Sequence, residues 1–214
     1  MSGASTRCAM SSTIFEDSAI PSESWPARLI VMALDIESQG LFEQHGVSVL
    51  YTGLGKVNAT FALTRRLAAY RHAGQPAPTV INFGTAGSHR FVTGTVVGCH
   101  RFVQRDMDVR ALGFEYGVTP FEDIPVELEF PPAFGHLPQG LCGSGDSFAT
   151  GESVMHCEVV DMEAYAYAKV CRLEGVAFAC AKYITDGADH AAAGDWNTNL
   201  AAAAAAFWQL YAGC

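Results

Sequence analysis

The sequence predicts a three-layer α/β/α fold around a central mixed sheet, and three observations carry that prediction. Short apolar runs rich in β-formers recur along the chain, segments with helical spacing lie between them, and glycine turns close several of the runs. Apolar runs without polar alternation belong to strands covered on both faces, which a sheet between two helical layers provides.

The elements follow in order. Met1 to Pro26 is rich in serine, with Gly, Thr and Pro, and has no clear period; it reads as a disordered extension, with Met10 as an alternative start. One domain is expected over 27–214, without repeats or an internal linker. Ala27–Ala33 is the first strand, Val47–Thr52 the second, Thr79–Phe83 the third, Gly94–Val103 the fourth, and Val176–Ile184 the longest. Helical spacing predicts a helix over Val57–His72, with Val57, Phe61, Leu63, Thr64, Leu67 and Ala68 near one stripe. A second helix is expected over Glu163–Leu173, and the alanine-rich Thr198–Ala212 closes the chain as a third. Pro131–Pro138 carries three prolines and a glycine, which break both periods and make it a loop.

Composition narrows the function. At 214 residues the chain is long enough for one domain with a real core. A formal net charge of −9 opposes non-specific binding to a nucleic acid polymer or an anionic membrane, and leaves a small neutral ligand open. The seven cysteines are odd in number and form no C-x-x-C pair; Cys142, Cys157, Cys171 and Cys180 sit beside apolar residues or glycine and read as buried thiols of a reducing compartment. There is no signal-peptide pattern, and no apolar run approaches the ~20 residues of a membrane span, so the cytoplasm is the expected location. The seven histidines are scattered without ligand spacing, and neither a metal nor another cofactor is expected. No G-x-S-x-G marks a serine nucleophile.

Several motifs sit at expected strand ends, where ligands of open α/β sheets gather. Gly53-Leu-Gly-Lys-Val-Asn58 joins a strand to a helix; it is either a tight turn or a place where backbone N–H groups face a ligand. Asn82-Phe-Gly-Thr-Ala-Gly87 ends the third strand and offers the Thr85 hydroxyl, though ordinary turn chemistry explains it equally well. Gly143-Ser-Gly-Asp-Ser-Phe148 is another glycine turn, and Phe148 either fills core or stacks on a flat ring. Asp161-Met-Glu163 places carboxylates beside apolar Val159-Val160, where burial without a partner is costly. Thr185-Asp186 closes the longest strand, as a site acid or a helix N-cap. Leu34-Asp-Ile-Glu37 follows the first strand in the same way, and solvated acids opening a helix are its plain alternative.

Taken in order, and with Gly113-Phe-Glu-Tyr-Gly117, these motifs resemble the 5′-methylthioadenosine/S-adenosylhomocysteine nucleosidases of the purine nucleoside phosphorylase superfamily, from about Leu29 to the C-terminus. The resemblance implies a phosphorylase/hydrolase-like fold, hydrolysis of an adenine nucleoside in methionine salvage, no cofactor, and a homodimer. It implies that Glu37 activates the attacking water, that Met162 and Glu163 hold the ribose, and that Asp186 donates a proton to N7 of adenine. Phe148 matches the ring stacked on the base. Thr85 and Thr185 keep a hydroxyl where the family usually has serine. Leu54, Leu112 and Phe114 match the pocket for the 5′ tail, the last two reaching across a dimer interface. Asp35 and Glu37 would repel phosphate, which favours water as the nucleophile. Hydrolysis or phosphorolysis of another purine nucleoside, futalosine-like, and nucleoside binding without catalysis are the alternatives. Lys182-Tyr183 stands where the family commonly has Arg-Ala, and the segments 117–143 and 149–160 are shorter than its pattern.

Overall fold

The computed structural model describes residues 27–147, 156–188 and 192–213, with the backbone alone for 192–198. The expectations for residues 1–26 and for Phe148 lie outside the described residues. Eight strands form one sheet: β1 (Arg28–Met32), β2 (Val49–Tyr51), β3 (Thr79–Gly87), β4 (Val96–Gln104), β5 (Leu128–Glu129), β6 (Gln139–Ser144), β7 (Val159–Asp161) and β8 (Phe178–Asp186). Among the described residues four α-helices accompany them: α1 (Leu41–Gln44), α2 (Lys56–His72), α3 (Ala164–Glu174) and α4 (Ala192–Ala212).

The strands are apolar throughout because successive side chains leave opposite faces and both faces are covered. In β1, Leu29 and Val31 join a core with Leu63 and Leu67 of α2 and with α3, whereas Ile30 and Met32 join a second core with Phe42 of α1 and Phe207 of α4. β8 divides likewise: Phe178, Cys180 and Ile184 face the first core, and Ala179, Ala181 and Tyr183 the second. These two cores on either side of the sheet give the three layers.

The sheet is mixed and runs β2-β1-β3-β7-β6-β4-β5, with β8 paired to both β3 and β4. β8 is parallel to β3 and antiparallel to β4, and β7 is antiparallel to β3. The strands β3, β8, β4, β6 and β7 therefore close a ring. Closure removes two sheet edges and gathers the carboxyl ends of strands from both directions around one opening.

Several boundaries differ from the sequence expectation. β3 and β8 continue to Gly87 and Asp186, so Gly84-Thr-Ala-Gly87 is strand rather than turn. Its glycines serve close approach: a Cβ at Gly84 would lie 3.0 Å from Lys182 Nζ, and one at Gly87 only 2.6 Å from an Asp186 oxygen. Gly143 and Ser144 belong to β6, not to a turn, and α4 begins at Ala192 rather than Thr198. In α2 the buried stripe is Ala59, Leu63 and Leu67. Val57, Phe61, Thr64 and Ala68 instead form an exposed stripe on another face, Val57 at 78% and Phe61 at 62% exposure. Pro131–Pro138 carries no helix or strand, as expected.

Candidate active site

The cleft forms where the carboxyl ends of β1, β3, β4, β7 and β8 converge. It is lined by Glu37 and Leu34 after β1, Thr85 and Gly87 of β3, Thr185 and Asp186 of β8, Asp161, Met162 and Glu163 at the end of β7, Leu54 before α2, and Arg105 and Ser147.

Glu37 sits in a short 3-10 turn, 35–37, that folds its side chain back over β1. One carboxylate oxygen accepts from the Ala33 and Leu34 N–H groups, each at 3.1 Å. The other accepts from the Thr85 N–H at 2.8 Å and the Thr85 hydroxyl at 2.9 Å. These four donors match the acceptor sites of an ionised carboxylate, and they fasten the end of β1 to β3. The solvated-acid alternative does not hold for Glu37, which is 4% exposed.

Asp186 is braced from behind. The Ala188 N–H donates to one oxygen at 2.9 Å and the Thr185 hydroxyl to the other at 2.8 Å. Thr185 is fully buried and Asp186 nearly so, yet both line the cleft.

Glu163 lies at the start of α3, and its carboxylate accepts from the Gly55 N–H at 2.8 Å. Burial, reinforced by the nearby Asp161 carboxylate, pushes its pKa up to about 8. The Lys56 N–H donates to Asp146 at 2.8 Å, and the Lys56 ammonium pairs with Asp106 at 2.5 Å. The N–H groups of Gly55 and Lys56 are thus already bound to carboxylates and do not face an anion in the cleft. Gly53 and Gly55 adopt φ of +85° and +87°, a conformation that favours glycine.

Beneath these acids lies a buried ion pair that reading the motifs singly did not assemble. Lys182 Nζ is 2.8 Å from Asp161, and both side chains are almost fully buried. Asp161 also accepts from the Ser144 hydroxyl and from the Ala164 N–H at 2.8 Å. Although burial opposes it, Lys182 holds the Asp161 carboxyl below the usual range, and Asp161 in turn holds Lys182 charged. The signal was present: a lysine within the apolar run Val176–Ile184 demands an acid partner, and Asp161 ends another apolar run.

Of the residues the sequence singled out, the structure brings Glu37, Leu54, Thr85, Met162, Glu163, Thr185 and Asp186 to one cleft. Leu112 and Phe114 do not line the cleft of their own chain; Leu112 is 72% exposed, and Phe114 packs edge-on against Phe121. No group of His, Cys, Asp and Glu among the described residues has the arrangement of a metal site.

A ring-closed mixed sheet with a carboxylate-lined cleft at its strand ends defines a small-molecule site, and comparison with known proteins supplies the family. The phosphorylase superfamily profile matches residues 37–210. A 5′-methylthioadenosine/S-adenosylhomocysteine nucleosidase of Bacillus cereus (strain G9842) is 30% identical over 172 residues, covering 70% of this chain and 71% of that protein. The chain belongs to the phosphorylase superfamily and, within it, to the 5′-methylthioadenosine/S-adenosylhomocysteine nucleosidase family. The fold is shared with the crystal structure of the Helicobacter pylori nucleosidase of that name, at TM-score 0.75 and 20% identity over 88% of this chain and 99% of that one. It is also shared with H. pylori futalosine hydrolase, at TM-score 0.74 and 22% identity over 86% of this chain and 96% of that one.

Proposed function

We propose that the protein hydrolyses the N-glycosidic bond of an adenine nucleoside such as 5′-methylthioadenosine or S-adenosylhomocysteine, releasing adenine. The observation that carries this reading is the meeting of Glu37, Glu163 and Asp186, from three distant segments, in one cleft. Cleavage builds positive charge on the ribose and negative charge on the departing base. Asp186, braced by Thr185 and Ala188, delivers a proton to N7 and neutralises the base. Glu163 accepts from the ribose hydroxyls, beside Met162. Glu37 takes the proton of the attacking water. Because its four acceptor sites are filled, the water displaces one donor, and the Thr85 hydroxyl, which turns about its own C–O bond, is the one that yields. General acid–base assistance of this kind contributes ~10²–10⁴-fold per group.

Water rather than phosphate is the nucleophile. Anions are disfavoured beside Glu37, and the N–H groups of Gly55 and Lys56 are already taken by Glu163 and Asp146. The protein acts as a homodimer: the exposed stripe Val57-Phe61-Thr64-Ala68 adjoins Leu54 at the cleft, and Leu112 and Phe121 are exposed as well, so a second copy would cover apolar surface and close the 5′ side. A cytoplasmic location fits the five free cysteines, four of them buried, among the described residues. No described helix is long and apolar enough to cross a membrane.

The test is base release from a panel of adenine, hypoxanthine and futalosine-type nucleosides in phosphate-free buffer. Adenine release without phosphate is expected. Release only on adding phosphate, or from non-adenine substrates alone, contradicts the reading.

A further inference from the structure

Tyr167 is fully buried on α3, in the core that α2 and α3 share with the sheet. A phenylalanine would fill the same space, so the hydroxyl is what distinguishes this residue. A buried hydroxyl is costly unless it finds a partner. This one meets Thr52, the residue after β2, with the two side-chain oxygens 2.5 Å apart. The Thr52 hydroxyl donates to the Gly53 carbonyl at 3.1 Å, so the Tyr167 hydroxyl is the donor to Thr52.

Thr52 opens the turn that carries the chain from the sheet into α2. The N–H groups of Thr52 and Gly53 donate to the Met32 and Ala33 carbonyls at 3.0 and 2.9 Å, continuing the pairing with β1. Beyond them Leu54 lies between two glycines of positive φ, Gly53 and Gly55. Glycine prefers no single conformation, so contacts decide the shape of this turn. At its far end the Gly55 N–H donates to Glu163 at 2.8 Å. The start of α3 therefore grips the turn twice, through Tyr167 at Thr52 and, four residues earlier in the chain, through Glu163 at Gly55. Leu54 and Glu163 line the cleft, and Tyr167 stands behind them.

We propose that Tyr167 is a positioning residue for the nucleoside: by holding Thr52, its hydroxyl sets the Thr52–Gly55 turn, which aims Glu163 at the ribose and presents Leu54 to the cleft. This role rests on the hydrolase reading above and deepens it, because nucleoside binding then depends on a hydroxyl that never touches the substrate. Without the bond to Thr52 the turn keeps its two glycines and loses one of its two holds on α3. The Gly55 N–H then no longer fixes the direction of the Glu163 carboxylate, and the ribose loses a prearranged acceptor. The base, which departs toward Asp186, is untouched.

The experiment measures KM and kcat for 5′-methylthioadenosine, and inhibition by free adenine, in the unsubstituted protein, Tyr167→Phe, Thr52→Val and the double variant. Tyr167→Phe keeps the ring that fills the core, so the variant folds. Its KM rises about three- to ten-fold, the scale of one neutral hydrogen bond. Its kcat and its inhibition constant for adenine, which has no ribose, stay within about two-fold. A purely structural hydroxyl would lower Tm and leave this split absent. Thr52→Val removes the other end of the same bond, so the double variant's KM stays within about two-fold of the larger single effect. An unchanged KM in Tyr167→Phe, an equal rise in the adenine constant, or single effects that multiply in the double variant overturn Tyr167's role, while adenine release by the unsubstituted protein keeps the hydrolase reading. No adenine release by the unsubstituted protein refutes the hydrolase reading itself and Tyr167's role with it.

Discussion

Replacing Glu37 with glutamine changes one oxygen to an NH₂ group, and the structure fixes what that costs. The carboxylate holds two pairs of donors, the N–H groups of Ala33 and Leu34 on one oxygen and the Thr85 N–H and hydroxyl on the other. In the better amide orientation the remaining oxygen keeps Ala33 and Leu34, and the NH₂ faces Thr85. The Thr85 hydroxyl can turn to accept, but its N–H cannot and loses this acceptor. One buried N–H losing its acceptor costs ~1–3 kcal/mol, and two bonds falling from charged to neutral acceptors cost ~1 kcal/mol each. The sum is ~3–5 kcal/mol, survivable within a total stability of ~5–15 kcal/mol. At ~2–4 °C per kcal/mol for a domain of this size, Tm falls by about 6–20 °C. If Glu37 is also the base, kcat falls ~10²–10⁴-fold while nucleoside still binds. The assays are thermal denaturation and adenine release, both well below the lowered Tm. A Tm within ~2 °C of the unsubstituted protein refutes the four-donor anchor, and a near-normal kcat refutes Glu37 as base whatever happens to Tm.

Glu163, with its pKa raised from 4.5 to about 8, holds a proton in the folded state that the unfolded chain has released, so stability falls as pH rises through that window. Glu163→Gln lacks this slope, and chemical denaturation at pH 5 and pH 9 should show the variant gaining on the unsubstituted protein at the higher pH. For the ribose role, Glu163→Ala should weaken ribonucleoside binding more than free-adenine binding; equal losses remove Glu163 from the ribose site. Lys182→Met leaves Asp161 buried without its cation and should destabilise the fold by ~3–5 kcal/mol in denaturant titration; a cost under ~1 kcal/mol would mean that the Ser144 and Ala164 hydrogen bonds alone hold Asp161. Gly87→Ala drives a methyl to 2.6 Å from Asp186, and kcat should drop sharply while far-UV circular dichroism stays native; full activity would show that Asp186 needs no fixed position.

The strand–helix alternation was legible because alternate residues of β1, β3 and β8 face two different apolar cores, which writes a continuous apolar run into the sequence. Glu37, Glu163 and Asp186 were legible as acids after such runs, though only the ordered set of motifs raised them above caps and solvated charges. The short strands β6 and β7 were not legible, since Gly143 read as turn chemistry and a three-residue strand carries no period. At Gly143 a Cβ would meet Cys157 Sγ at 2.5 Å, so the glycine marks close packing rather than a bend. Nor could the sequence show that β8 pairs with β4 as well as β3, because ring closure is set by long-range register. Helical spacing in α2 fitted two stripes, and only packing decides that Leu63 and Leu67 go inward while Val57 and Phe61 remain exposed. Arg105 escaped notice because a single arginine after a strand reads as surface until the 145–147 segment closes over it.

Protonation of the departing base by Asp186 is the centre of this account, and a change of leaving group tests it most directly. The side-chain amide of an Asp186→Asn variant can keep a hydrogen bond to the purine but cannot transfer a proton. On an adenine nucleoside, kcat should fall by ~10²–10⁴-fold. A nitrophenyl riboside leaves without protonation, so on that substrate the same variant should recover most of the loss, with nitrophenolate release followed by absorbance. A defect of equal size on both substrates would contradict the account and assign Asp186 to positioning.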